Sequence, residues 1–182
     1  LLAPAILLAE VTAERSERGV VIKIDGQPFA EYLTKAGQSP AIWPIIGPTG
    51  KRMTRSFPLD PSQPNEKTII PITNPLVHAG LDFWGANANK PPAGKEKLRI
   101  VHRDFVEAKG QGDTARIVAR DDWMDGDKRV CQDERTIVFG SQANGDRWID
   151  FTITIKATDG DITFGDTKEG TFGVRVPESM KV

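Results

Sequence analysis

The segment that decides the fold reads Trp148-Ile149-Asp150-Phe151-Thr152-Ile153-Thr154-Ile155-Lys156-Ala157. Its apolar residues alternate with a second set that is polar except for Trp148. Successive side chains of a β-strand point to opposite faces of the sheet, so this alternation is typical of a strand with one face on a core and the other mostly in water.

Turn sequences link this segment to further strands. Asn144-Gly145 connects it to a strand at 130–139, and Asp125 to Lys128 connects that strand to a weaker one at 116–120. Asp25-Gly26 joins two more strands, and others are predicted at 97–108, 162–164 and 171–176. No segment carries a sustained helical stripe. We therefore predict an all-β fold, an antiparallel β-sandwich.

Length and charge limit the classes of function. The chain has 182 residues, 17 Gly and 13 Pro, a formal net charge of -1 and a pI near 6.2. These values predict a single sandwich domain at 10–182, without the basic surface that a nucleic-acid partner requires. No apolar run reaches the roughly 18–20 residues that cross a bilayer, so no membrane span is predicted.

The first nine residues are mostly apolar, from Leu1 to Ala9. We interpret 1–9 as the remnant of a secretory signal peptide, which predicts a periplasmic or secreted protein. The alternative is a first strand that begins near Ile6. Cys131 is the single cysteine, which rules out an internal disulfide, and we interpret it as a small residue packed in a strand.

Two charged residues fall on the apolar side of a predicted strand. Asp133 and Arg135 share a strand face with Cys131, Ile137 and Phe139. If that face is the core, a carboxylate and a guanidinium are buried together, and they must be matched to be tolerated. They form either a structural ion pair or the polar floor of a site.

Other candidate groups are spread along the chain. The loop 165–170 presents Lys168 and Glu169 between two glycines, and is either a solvated turn or a ligand-binding loop. The two histidines, His78 and His102, have no metal-ligand spacing, so no metal site is predicted and the cofactor is unknown. Tryptophans can belong to the core or stack on sugar rings, and Trp84 is a candidate for stacking.

Several motifs together resemble a known family. They are 20–32, 43–50, Leu81-Asp82-Phe83-Trp84, Asp133-Glu134-Arg135-Thr136 and 165–175. In these motifs the chain resembles the PmoA-like family of soluble bacterial proteins, which carries the label methane oxygenase PmoA. The resemblance implies an exported β-sandwich with carbohydrate binding or modification as its function. An incomplete mutarotase-like supersandwich is one arrangement that it implies.

The chain departs from that family in two places. Family members continue beyond the position of Val182, which predicts that a carboxy-terminal portion is lacking. They also carry a His-Pro-His-His motif where this chain has Thr68-Ile69-Ile70-Pro71-Ile72-Thr73-Asn74-Pro75. A shifted reading frame over about 67–80 would convert one sequence into the other, which is a hypothesis that the nucleotide sequence tests.

Three functions remain open at this point. The first is a carbohydrate protein that takes a sugar or glycoside, with His102, Asp133 and Glu169 as catalytic groups and, as substrate-binding groups, Arg135, Lys168, Arg175 and Trp84. The second is a metal-dependent oxidoreductase, as the family label implies, and the third is a non-catalytic binding or structural domain. The sequence does not decide whether the chain is an enzyme.

Overall fold

The computed structural model describes residues 9–56, 59–60, 77–78, 81–82, 97–165, 174 and 176–180, with the backbone alone at 77–78, 81–82 and 178. Ten strands lie in these ranges: β1 Val11–Arg15, β2 Gly19–Ile24, β3 Gln27–Ala36, β4 Ser39–Ile45, β5 Val77–His78, β6 Leu81–Asp82, β7 Leu98–Gln111, β8 Thr114–Asp125, β9 Lys128–Ser141 and β10 Arg147–Lys156. A 3₁₀ turn, Glu178–Met180, is the one helical element among the described residues, none of which forms a helix long and apolar enough to cross a membrane.

The strands form two four-stranded sheets, each a meander of neighbouring antiparallel strands. The first sheet has the order β1-β2-β3-β4 and the second the order β10-β9-β8-β7, while β5 and β6 form a separate pair. Because consecutive strands are hydrogen-bonded neighbours, short turns are enough to connect them within each sheet. The prediction of an all-β antiparallel sandwich is confirmed.

Tight turns make these connections where the sequence predicted them. Asp25 and Gly26 both have positive φ, 49° and 74°, between β2 and β3. This is the turn geometry whose twist matches that of paired strands, and it favours Asp-Gly and Asn-Gly. Gly145, with φ 85°, likewise lies in the connection between β9 and β10.

The main core lies between the two sheets. Residues from β1, β2 and β3 pack against residues from β8 and β9, and the buried members include Val11, Val20, Ile22, Phe29, Ala115, Ile117, Ile137 and Phe139. Phe29 and Phe139 meet edge to face across the sandwich, with ring centroids 6.0 Å apart. Burying side chains of this size stabilises the fold by about 1.5–3 kcal/mol each, so this layer holds the sheets face to face.

A smaller core extends toward one end of the second sheet. It is built from Leu98, Trp123 and Cys131, with Ile100 and Ile155 packed against it. Cys131 is only 2% exposed, and burial is the main reason why its pKa is raised to about 11. The prediction that Cys131 packs as a small residue inside a strand is confirmed.

Candidate functional site

Two carboxylates lie side by side in the buried face of the second sheet. Asp121 on β8 is directly opposite Asp133 on β9, and both side chains are 0% exposed. Like charges at opposite positions of neighbouring strands repel each other, and burial removes the water that would screen them. The pair therefore requires compensation from groups within the protein.

Arg135 supplies that compensation from the same strand as Asp133. Its Nε lies 2.9 Å from Oδ2 of Asp121 and donates to Oδ1 of Asp133 at 3.0 Å, while Nη2 donates to Oδ2 of Asp133 at 2.9 Å. Burial disfavours the guanidinium, but the charges of the two carboxylates, Asp133 first, raise the pKa of Arg135 above its ordinary value. Arg135 therefore stays charged and bridges both acids.

Two neutral donors complete the hydrogen bonding of the carboxylates. Nε1 of Trp123 donates to Oδ2 of Asp133 at 2.6 Å, and the hydroxyl of Tyr32 donates to Oδ2 of Asp121 at 3.2 Å across the two sheets. Burial raises the pKa of Tyr32, so its hydroxyl remains protonated and can act as this donor. Burial also raises the pKa of Asp133, although Arg135 and Trp123 act in the opposite direction.

His102 is the member of this cluster nearest to solvent. Its Nδ1 lies 3.0 Å from Oδ1 of Asp121, and its side chain is 12% exposed. The ring packs at a centroid distance of 4.2 Å from Phe105 and 6.2 Å from Tyr32. A carboxylate beside Nδ1 favours the tautomer with its proton on that nitrogen, which leaves Nε2 as a hydrogen-bond acceptor. We call Tyr32, His102, Asp121, Trp123, Asp133 and Arg135 together the polar cluster.

The net charge of the polar cluster depends on one proton. Asp121 and Asp133 contribute two carboxyl groups, and Arg135 contributes one guanidinium. A proton on Asp133, whose pKa is raised by burial, would bring the cluster to neutrality. Buried carboxyl groups with a perturbed pKa are common at functional sites.

A cleft of about 380 Å³ opens beside His102. One wall comes from the end of β3 and the turn into β4, and the other from the beginning of β7; the lining residues are Thr34, Lys35, Gly37, Gln38, Arg99, Ile100, Val101 and His102. The backbone N–H of Ile100 donates to the carbonyl of Gln38 at 2.7 Å, which joins the two walls. We call this the His102 cleft. It combines polar groups with an apolar strip, and its volume is in the range of small-molecule sites.

A second hollow, of about 430 Å³, lies among turns. Its lining includes Asp25, Pro48, Gln142 and Arg147. No member of the polar cluster belongs to this lining. Within the described part of the chain, no group of three or more His, Cys, Asp and Glu residues is placed to hold a metal ion.

The structure brings three of the candidates predicted from the sequence together, and the other four lie outside its described residues. His102, Asp133 and Arg135 lie in one polar cluster, joined through Asp121. Asp133 and Arg135 are enclosed, so the contacts described for them are with protein groups; direct contact of either residue with a substrate remains a prediction. The other candidates, Trp84, Lys168, Glu169 and Arg175, lie outside the described residues.

Three members of the polar cluster were not among the candidates predicted from the sequence: Asp121, Tyr32 and Trp123. Asp121 and Trp123 continue the alternation of Ile117 and Ala119 along β8, and this pattern could have placed them on the buried face. Tyr32 comes from the other sheet, and no local pattern predicts that its hydroxyl meets Asp121.

Comparison with protein families gives one match. The model of the family described as "Family of unknown function (DUF6807)" matches residues 19–182. No curated protein matches the chain, and no solved structure does.

This match corrects the resemblance drawn from the sequence motifs. The assignment to the PmoA-like family is wrong, because the family whose model matches is a different one. The expectations of a truncated chain and an altered histidine motif lose the support that this resemblance gave them. Since the match covers most of its length, the chain belongs to the family of unknown function DUF6807.

Proposed function

We propose that the chain binds a sugar or glycoside in the His102 cleft and that His102 serves as hydrogen-bond acceptor and general base toward a ligand hydroxyl. The observation that carries the proposal is the 3.0 Å contact between Nδ1 of His102 and Asp121 at the edge of this cleft. A carboxylate beside Nδ1 orients the ring and favours the tautomer whose Nε2 can accept a hydrogen bond from a ligand hydroxyl.

The polar cluster supports this proposal because an apolar core could fill the same space. Hydrophobic residues of similar volume commonly replace a buried ion network without loss of stability. In this chain the sandwich instead buries Asp121, Asp133 and Arg135 next to the one cleft-lining histidine of the described residues. We assign Asp133 and Arg135 a positioning role, because they fix Asp121 and Asp121 in turn fixes the ring of His102.

The composition of the cleft supports a sugar as ligand. Thr34 and Gln38 provide neutral donors and acceptors, and Ile100 and Val101 provide an apolar strip. Sugar recognition requires directed polar groups beside an apolar surface, so this combination suits a hydroxylated ring of one or two units. The predicted export of the chain remains a prediction and is consistent with an extracellular sugar.

Calorimetric titration with neutral monosaccharides and methyl glycosides tests the proposal. We expect binding by the wild type, loss of at least about 10-fold in affinity in His102→Gln, and a smaller loss in Asp121→Asn, because the ring is then less well oriented. The matched control is His78→Gln, which makes the same substitution at the other histidine of the chain.

Two results would count against the proposal. If no sugar binds the wild type, the polar cluster is a structural device and the chain is better understood as a non-catalytic sandwich. If sugars bind equally well to the wild type and to His102→Gln, the ligand site lies elsewhere. Thermal melts of each variant separate a lost contact from a lost fold.

A further inference from the structure

The His102 cleft has a distinct charge. Lys35 and Arg99 are among its lining residues, and no aspartate or glutamate is. The chain as a whole has a formal net charge of -1. The lining of the cleft is therefore positively charged, although the chain as a whole is close to neutral.

These two cations are poorly neutralised by the protein. No ion pair to Lys35 occurs among the described residues, and the carboxylate described beside Arg99 is Asp127, 3.7 Å away and fully exposed. An exposed pair at that distance contributes little and leaves the guanidinium available to a ligand.

Arginines elsewhere on the second sheet show a different arrangement. Arg103 lies 2.6 Å from Asp122, and Arg129 lies 2.8 Å from Asp159. Arg120 has Glu134 at 3.2 Å and Asp104 at 3.7 Å. These three arginines have acidic partners at closer range than Arg99 has, which distinguishes Arg99 from them on the second sheet.

We infer that the ligand of the His102 cleft is an anionic sugar, whose carboxylate or phosphate is bound by Arg99 and Lys35 while its hydroxyls face His102 and Gln38. This inference rests on the proposed function and adds the substrate class. A guanidinium donates two parallel hydrogen bonds to a carboxylate or phosphate, and such charge-assisted bonds are about twice as strong as neutral ones. A neutral sugar would offer neither cation a charged group to bind.

The test compares two sugars that carry a negative charge with a neutral sugar. Glucuronate and glucuronamide have the same ring, but glucuronate carries a carboxylate where glucuronamide carries a neutral amide. Glucose 6-phosphate then shows whether the cleft prefers a phosphate to a carboxylate. We expect glucuronate or glucose 6-phosphate to bind about 10-fold more tightly than glucuronamide in calorimetry at low salt, and the advantage to shrink as salt is added.

Variants locate the effect. Lys35→Gln combined with Arg99→Gln should remove the preference for the anion, so that glucuronate and glucuronamide bind this variant with equal affinity, and a thermal melt checks that the variant is folded. Lys109→Gln is the matched control, because Lys109 is an exposed lysine of β7 outside the cleft.

The outcomes separate this inference from the proposed function. Equal affinity for glucuronate, glucose 6-phosphate and glucuronamide overturns the inference and leaves a neutral-sugar site. A preference that survives in the double variant overturns it as well. Glucose is titrated as the neutral reference, and failure of the wild type to bind glucose or any of these three ligands rejects the proposed function itself.

Discussion

Replacing Arg135 by methionine tests how the polar cluster is held. The substitution keeps most of the side-chain volume but removes the guanidinium that lies 2.9 Å from Asp121 and 2.9 Å from Asp133. Two carboxylates, each 0% exposed, then face each other without a cation. Their repulsion and their lost hydrogen bonds both destabilise the folded state.

The size of the effect follows from these contacts. Coulomb's law with an effective dielectric constant of about 20 gives about 6 kcal/mol for unit charges about 2.9 Å apart. The cost of desolvating the guanidinium offsets part of this, and removal of one partner from a buried ion pair typically costs about 3–5 kcal/mol. For a chain of this length that loss corresponds to a fall in Tm of about 6–20 °C.

Arg120→Met provides the matched control. Arg120 also lies near two carboxylates, but its side chain is 42% exposed. Exposed ion pairs contribute at most about 1 kcal/mol, so the control should unfold close to the wild type. Urea denaturation monitored by tryptophan fluorescence gives the free energy of unfolding of both variants.

The deficit of Arg135→Met, meaning its loss in free energy of unfolding relative to the wild type, should also depend on pH. Burial already raises the pKa of Asp133, and removal of Arg135 raises it further. A group whose folded pKa lies above its unfolded pKa stabilises the fold at low pH and loses that contribution as the pH rises through the folded value. The deficit is therefore smallest near pH 4 and largest at neutral pH, and Asp121→Asn combined with Asp133→Asn should reduce it. A loss as small as that of Arg120→Met, unchanged with pH, would refute this reasoning.

Three other predictions follow from single contacts. Gly110→Ala should cost about 1–3 kcal/mol in urea denaturation, because a Cβ there would lie 2.2 Å from the carbonyl oxygen of Val11. Acid should destabilise the chain through Glu134, because hydrogen bonds from a lysine and an arginine lower the pKa of this carboxyl group in the folded state. The stability that Glu134 contributes is present above its ordinary pKa and is lost as the pH falls through the lowered pKa of the folded state. Glu134→Gln should therefore flatten this part of the pH–stability curve. Cys131, buried and with its pKa raised to about 11, should react with a thiol reagent at neutral pH only at the rate of unfolding; fast reaction of the folded chain would contradict this packing.

The fold could be predicted from local sequence patterns. Alternation along β10 and along β9, and the turns at Asp25-Gly26 and Asn144-Gly145, are short-range signals that specify paired strands. The same alternation predicted that Asp133 and Arg135 are buried together. These features depend on residues near one another in the chain, so a single sequence is enough to show them.

The assembly of the site depends on β-bulges that no local sequence pattern predicts. Counted from the turn that pairs Asp125 with Lys128, Asp121 would lie opposite Gln132; a register shift between Trp123 and Met124 places it opposite Asp133. Two further shifts in the pairing of β7 with β8 bring His102 opposite Asp121. A shift of one residue changes which side chains meet, so the cluster could not be derived by counting.

One of these shifts also changes which residues of β7 share a face. Unbroken alternation along this strand would place Leu98, Ile100, His102 and Asp104 on the same face. The shift between His102 and Asp104 instead leaves Asp104 exposed and turns Phe105 toward the core, where its ring contacts His102. The bulge thereby gives the histidine an aromatic neighbour in place of a carboxylate.

The most direct test of the central claim is a nitrogen-15 NMR spectrum of the imidazole rings, recorded near neutral pH with and without glucuronate. The chain has two histidines, so His102→Gln assigns the signals. We predict that Nδ1 of His102 carries the ring proton and donates a hydrogen bond to Asp121, and that glucuronate shifts the Nε2 resonance. A ring protonated on Nε2 that does not respond to the ligand would contradict it.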